Sequence, residues 1–150
     1  MNSTLEASEL RRRISALPFD DADAGFSFSY RLARESGWRA EYARRVIEEY
    51  RRFVFLAVTA GHAVTPSDDV DQAWHLHMTY TRHYWGVFAE ALGAPLHHHP
   101  TRGGASERAK FCAQYELTLS TYEKAFGEKA PADIWPAARI RFGEAPFMRR

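Results

Sequence analysis

The feature that most restricts this chain is a spacing. Between residues 38 and 60, Tyr42, Val46, Tyr50, Phe53 and Ala57 recur every three or four positions, while Arg44, Arg45, Glu48, Glu49, Arg51 and Arg52 fill the remaining surface. Apolar residues at that spacing line one face of an α-helix; a strand needs them at every second position. The closing run VFLAVTA predicts burial on all sides in the second half, and Gly61 supplies a C-terminal stop. The same period returns over 105–126, where Phe111, Tyr115, Leu119, Tyr122 and Phe126 form a stripe ended by Gly127. Residues 3–17 read as a first helix: Ser3 and Glu6 fit a capping box, Leu10, Ile14 and Leu17 share a face, and Pro18 ends it. A short helix is expected over 27–36, capped by Ser27 and stopped by Gly37, against a weaker strand signal from the alternating Phe26, Phe28 and Tyr30. A further helix opens with Thr65 as cap and Pro66 in its first turn and runs to about Leu92, with Gly93 as stop. The proline-punctuated tail is expected to lie across the bundle on Ile134, Trp135 and Phe142. The fold class is therefore all-α: one domain over residues 1–150, built as a bundle of about five helices with a proline-rich C-terminal tail.

Bulk properties narrow the function. Apolar residues make up 45% and charged residues 26%, as in ordinary globular chains. A net charge of +1 gives no global field to attract nucleic acid or an anionic membrane, although an excess of Arg over Lys leaves room for a local basic patch. The run Arg11, Arg12, Arg13 reads as a solvated helix face. A lone cysteine, Cys112, excludes an internal disulfide and fits a reducing, cytoplasmic setting, and its helical context favours a buried thiol over a nucleophile. The N-terminal residues lack the apolar run of a signal peptide, and no stretch approaches the ~18 apolar residues of a membrane span. No phosphate-binding glycine motif, nucleophile elbow or EF-hand loop is present, and Gly103–Gly104 reads as a turn.

The chemistry gathers in residues 65–100, which hold six of the seven histidines. With Val70 at zero and ~100° per residue, Trp74, His77, Thr81, Tyr84, Trp85 and Phe88 lie on the core face. Asp71, His75 and Arg82 then fall together on its border, and His83 and Gln72 face water. His75 and His77 are about 200° apart by the same ~100° step, so a straight helix cannot aim both at one ion. Asp71 and His75, by contrast, stand at i, i+4, the spacing by which one helix delivers two ligands to a metal. The loop histidines His97, His98 and His99 are placed to supply the rest, with Gly93 and Pro95 letting the loop fold back. A carboxylate with imidazoles suits Zn first, and also Fe, Mn or Ni. The structural alternatives stay open: His77 as a core histidine bonded to a carbonyl or tyrosine, Asp71–His75 as a hydrogen-bonded pair, Asp71 as a group orienting His75, and the loop histidines as solvated side chains.

The strings DVDQAWHLHMTYTRHYW and LHHHPTRGG resemble the glycine-rich-domain-containing-protein-like family, a helical module of plant and bacterial proteins that is often fused to other domains. The family's D-x-x-W-H-x-H string and following tyrosine map onto Asp71, Trp74, His75, His77 and Tyr84 (or Tyr80), and the flanks extend the likeness over residues 28–142. The chain looks like a bacterial, stand-alone member with only 9 Gly, so the glycine-rich segment of the name is missing. The resemblance implies no settled activity.

The sequence thus points to a divalent-metal site made by Asp71 and His75 on one side and His98, with His97 or His99, on the other; His77, Trp74, Arg82 and Tyr84 would line it. A metal-dependent hydrolase or small pathway enzyme is one expectation, without an assigned catalytic residue. The rival is an interaction module for protein or RNA in which the histidines are structural.

Overall fold

The computed structural model describes residues 3–21, 23–98 and 103–143; His99 and the side chain of Ser3 lie outside that description. The described elements are α1 (Ser3–Ala16), α2 (Phe28–Ser36), α3 (Ala40–Thr59), α4 (Asp68–Thr79), α5 (Thr81–His83), a π-helical turn (Tyr84–Phe88), α6 (Ala89–Leu92), α7 (Ala105–Phe126) and α8 (Ala138–Arg141). Among the described residues there is no strand, and no helix is long and apolar enough to cross a membrane.

Helix α3 is the axis of the bundle. Its stripe of Val46, Tyr50, Phe53 and Val54 is buried completely, and α1, α2, α4 and α7 all pack against it. Burial on all sides spans Phe53, Val54, Phe55 and Leu56 but stops there, because the end of the helix leaves the core and turns Val58 and Thr59 to solvent. Helix α2 carries the expected signals: the Ser27 side chain accepts from the Tyr30 amide, and Gly37 ends the helix at φ 74°, a left-handed conformation that glycine adopts without a Cβ clash. The C-terminal segment does cross the bundle. Ile134 and Trp135 are buried, and Phe142, half-buried, sets its ring edge-on 5.7 Å from Tyr115. Glu49 on α3 joins the parts, accepting from Tyr122 Oη at 2.7 Å and from Trp135 Nε1 at 3.0 Å.

The expected helix over 65–92 departs from the structure in two ways. Its cap is Ser67, whose hydroxyl accepts from the Val70 amide at 3.2 Å. Thr65 is held back instead, its amide donating to Thr118 Oγ1 of α7. The helix also breaks at Tyr80 (φ −88°, ψ 67°) and restarts through α5 and the π-helical turn, so the elements outnumber the expected five. No glycine or proline marks the break. It turns Tyr80 onto α2, where its ring meets Phe28 edge-on at 5.2 Å and its hydroxyl accepts from Arg31 Nε.

Candidate metal centre

The site begins with the cap of α4. Ser67 fixes where the helix starts, so Asp71 and His75 leave its surface one turn apart on the same side. The third group arrives by a separate route. Gly93 ends α6 at φ 85° and redirects the chain. Trp74 Nε1 on α4 then donates to Tyr84 Oη at 2.7 Å, and Tyr84 Oη donates to the Leu96 carbonyl at 2.5 Å. This two-bond strap ties the returning loop to α4 two residues before His98, whose ring rests 4.1 Å from that of Trp74.

His98 Nε2 consequently lies 2.8 Å from Asp71 Oδ1 and 3.1 Å from His75 Nε2, and His75 Nε2 lies 3.5 Å from Asp71 Oδ2. The Asp71 and His98 side chains are largely covered, at 26% and 18% exposure, while His75 is open at 54%. Three Lewis-basic atoms converge on one point. A hydrogen bond between His98 Nε2 and Asp71 Oδ1 satisfies one pair, and the half-exposed His75 side chain is open to water. A neutral imidazole nitrogen carries at most one proton, so His98 Nε2 cannot donate in line to both the carboxylate and His75, and two protonated Nε2 atoms at this separation repel. The three side chains, from two separate elements, could hold a cation. Tetrahedral bonds of ~2.0–2.1 Å to such an ion set neighbouring donors ~3.3 Å apart. From His98 Nε2 the distances of 2.8 Å to Asp71 Oδ1 and 3.1 Å to His75 Nε2 lie somewhat inside that edge, and the 3.5 Å contact of His75 Nε2 is to the other carboxylate oxygen, Oδ2.

The other anticipated residues separate. His97 is exposed, with its ring 5.5 Å from Trp85, and does not join the cluster of Asp71, His75 and His98. Arg82, expected beside Asp71 and His75, is exposed beyond the Tyr80 break. Thr81 and Trp85, placed on the core face by a continuous helix, are exposed for the same reason. His77 is a core histidine: it is buried, its Nδ1 bonds Tyr50 Oη at 2.7 Å, and its Nε2 bonds His83 Nδ1 at 2.8 Å. Burial first, then the charges of His83 and Arg51, push its pKa down to about 3. His83, expected to face water, turns inward instead, since the break at Tyr80 shifts the residues just after it; Tyr84 and Phe88 keep the buried face expected of them. Its Nε2 is buried without a hydrogen-bond partner of good geometry; burial lowers its pKa, the nearby Pro18 carbonyl opposes that, and Arg51 adds to it. A tyrosine partner for His77 is among the alternatives that the sequence leaves open; that it is Tyr50, that His83 extends the chain and that the Leu96 carbonyl anchors the loop depend on partners distant along the chain.

The family model described as UCP032817-like matches residues 28–119. Two curated relatives from Arabidopsis thaliana, Glycine-rich domain-containing protein 2 and Glycine-rich domain-containing protein 1, are each 22% identical over 124 residues, an alignment that covers 79% of this chain and 15% of the relative. The chain therefore spans only about 15% of the length of these relatives. No solved structure matches.

Proposed function

The chain belongs to the UCP032817-like family, and we propose that its function is to hold a divalent metal ion on Asp71, His75 and His98. What supports this is the convergence of one carboxylate and two imidazole Nε2 atoms, from two separate elements, on one point. The donor set favours Zn, with Fe, Mn or Ni as alternatives. Water or an exogenous molecule completes the coordination on the side where His75 is exposed. A bound ion lowers the pKa of a coordinated water toward ~7, which is the chemistry of hydrolysis.

Metal analysis of protein prepared without a histidine tag tests this directly. One equivalent of Zn, a raised melting temperature on Zn addition, and loss of both in Asp71→Ala and His75→Ala are expected. Less than about a tenth of an equivalent, with no thermal shift from Zn, Fe, Mn or Ni, overturns the reading. The rival interaction module draws on one observation: exposed Phe26 and Tyr30 stack at 5.5 Å with the Arg31 guanidinium 5.8 Å from the Phe26 ring. Under that reading His75→Ala leaves metal content untouched and changes stability alone.

A further inference from the structure

The Tyr50–His77–His83 chain plays no part in the metal reading, and its protons can be placed. Tyr50 Oη lies 2.7 Å from His77 Nδ1, and His77 Nε2 lies 2.8 Å from His83 Nδ1. Tyr50 and His77 are buried, so each polar hydrogen there needs an acceptor. One direction supplies them: Tyr50 O–H donates to His77 Nδ1, His77 Nε2–H donates to His83 Nδ1, and His83 Nε2–H is left facing the Pro18 carbonyl. The reverse direction strands the Tyr50 hydroxyl proton and turns the His83 Nε2 lone pair against that carbonyl oxygen. A neutral His83 is thus the terminal acceptor of the chain. We propose that His83 is an acid-operated latch: while neutral it keeps residues 17–20, the start of the connector between α1 and α2, closed over the aromatic core, and when it takes up a proton that stretch lifts.

The cover over His83 is thin. Pro18 is exposed and Phe19 half-buried, yet His83 Nε2 is buried without a well-aligned partner. The Phe19 ring lies 5.6 Å from that of His83, and the Arg51 guanidinium sits 4.7 Å from the same ring. A proton added to His83 Nδ1 faces the His77 Nε2–H, so the chain must reverse and strand Tyr50, or break at His83. The new cation also stands near Arg51 in a partly desolvated space. Water reaches its Nε2–H only if Pro18 and Phe19 move aside. Tyr50 and Arg51 from α3 and Tyr84 from the π-helical turn surround the imidazole pair. The carboxylates next to these residues in sequence are engaged elsewhere: Asp20 with the Ser29 amide and hydroxyl, Glu49 with Tyr122 and Trp135, and Glu48 with Arg51 in an exposed pair. Burial therefore holds the His83 pKa below the ordinary 6.5; the Pro18 carbonyl opposes this and Arg51 adds to it. The open state binds a proton that the closed state refuses. Closure is complete above pH 6.5, and opening grows as pH falls through that value, by up to about tenfold per pH unit until the closed state also accepts the proton.

Amide hydrogen exchange reads the latch, with a chelator present throughout so that the outcome is independent of the metal centre. The Leu17 amide donates to the Ile14 carbonyl at 3.2 Å and the Ser29 amide to Asp20 Oδ1 at 2.7 Å, and the amide of buried Phe53 in α3 reports the core. Between neutral pH and about pH 5, exchange corrected for the intrinsic rate is expected to rise at least about threefold at Leu17 and Ser29, while Phe53 continues to exchange far more slowly, the mark of a local opening. His83→Gln offers His77 an amide oxygen and Pro18 an amide N–H but does not titrate, so the rise is expected to vanish in that variant. No rise in the parent, the same rise in His83→Gln, or equal exchange at all three amides overturns the proposal. Should His83→Gln fail to fold, NMR titration of the His83 ring in the parent decides: a midpoint below 6.5 that tracks the exchange supports the latch, and a midpoint at or above 6.5 overturns it.

Discussion

At the scale of single residues, Tyr84 is the side chain on which the centre turns. It contributes no donor to the cluster, yet it joins Trp74 to the Leu96 carbonyl and so fixes which loop histidine reaches Asp71. Tyr84→Phe keeps the ring and removes both bonds. Leaving a buried indole N–H and carbonyl unpaired is expected to cost about 1–3 kcal/mol in urea denaturation. Loss of such an orienting contact typically lowers metal affinity about 10–100-fold, and competition against a chelator would read it; unchanged Zn affinity would separate the strap from the centre. His77 makes a different prediction. Its folded pKa of about 3 lies below the ordinary 6.5, so between those values the unfolded chain binds a proton that the folded chain refuses. Stability from this group is complete above pH 6.5 and falls with acidification, by up to about 1.4 kcal/mol per pH unit. Tyr50, Tyr84, His83 and Arg51 surround the imidazole, and none is a carboxylate that acid could neutralise in compensation. Denaturation between neutral pH and pH 5, with a chelator present so that the metal ligands do not contribute, should show the slope, and His77→Gln should flatten it.

At the scale of elements, the helix starts and stops carry the design. Ser67→Ala removes the hydroxyl that caps α4 and is expected to cost about 1 kcal/mol. Because Asp71 stands only one turn inside that cap, Zn affinity should weaken along with the melting temperature. Caps and glycine stops could be read in the sequence wherever a local rule governs them: Ser27 and Gly37 around α2, and Gly127 after α7. The cap of α4 was misplaced by two positions because Thr65 and Ser67 both suit the role, and only the tertiary bond from the Thr65 amide to Thr118 decides between them. The wheel placed Asp71 and His75 on one side, and His77 on another, because all three precede the break at Tyr80. Beyond it the angles hold for the buried Tyr84 and Phe88 but fail for Thr81, Arg82, His83 and Trp85, since a ψ of 67° at a tyrosine reflects packing on α2 and, from Tyr84 on, a π turn adds an extra residue to one turn of helix. His98 rather than His97 faces Asp71 because a backbone carbonyl, not a side-chain pattern, pins the loop, and residue types do not encode that choice.

At the scale of the molecule, the segment matched by the family model is smaller than the core that supports it. Residues 28–119 exclude α1, whose Leu10 and Ile14, with Leu17 just beyond, are buried. They exclude Phe19, whose ring meets His77 at 4.8 Å. They also exclude Tyr122, Ile134 and Trp135, all buried against α3 or α7. Bonds reinforce both seams: Arg51 donates to the Ile14 carbonyl at 2.6 Å and Arg13 to the Ala91 carbonyl at 2.9 Å, while Tyr115 donates to the Pro136 carbonyl at 2.6 Å. Each buried apolar side chain contributes about 1.5–3 kcal/mol, so losing these groups removes a gross contribution of the same order as the 5–15 kcal/mol of net stability a domain usually has, and uncovers the faces of α3 and α7. A chain cut to residues 28–119 is therefore expected to show no cooperative thermal transition and to bind a hydrophobic dye. Metal cannot rescue it: an ion at 100 to 1,000 times its dissociation constant adds only about 3–4 kcal/mol. The chain spanning 3–143 should melt sharply under the same conditions. A sharp melt with native near-UV dichroism from the 28–119 fragment would show that α1 and the C-terminal segment decorate a smaller core, and that the metal centre needs neither.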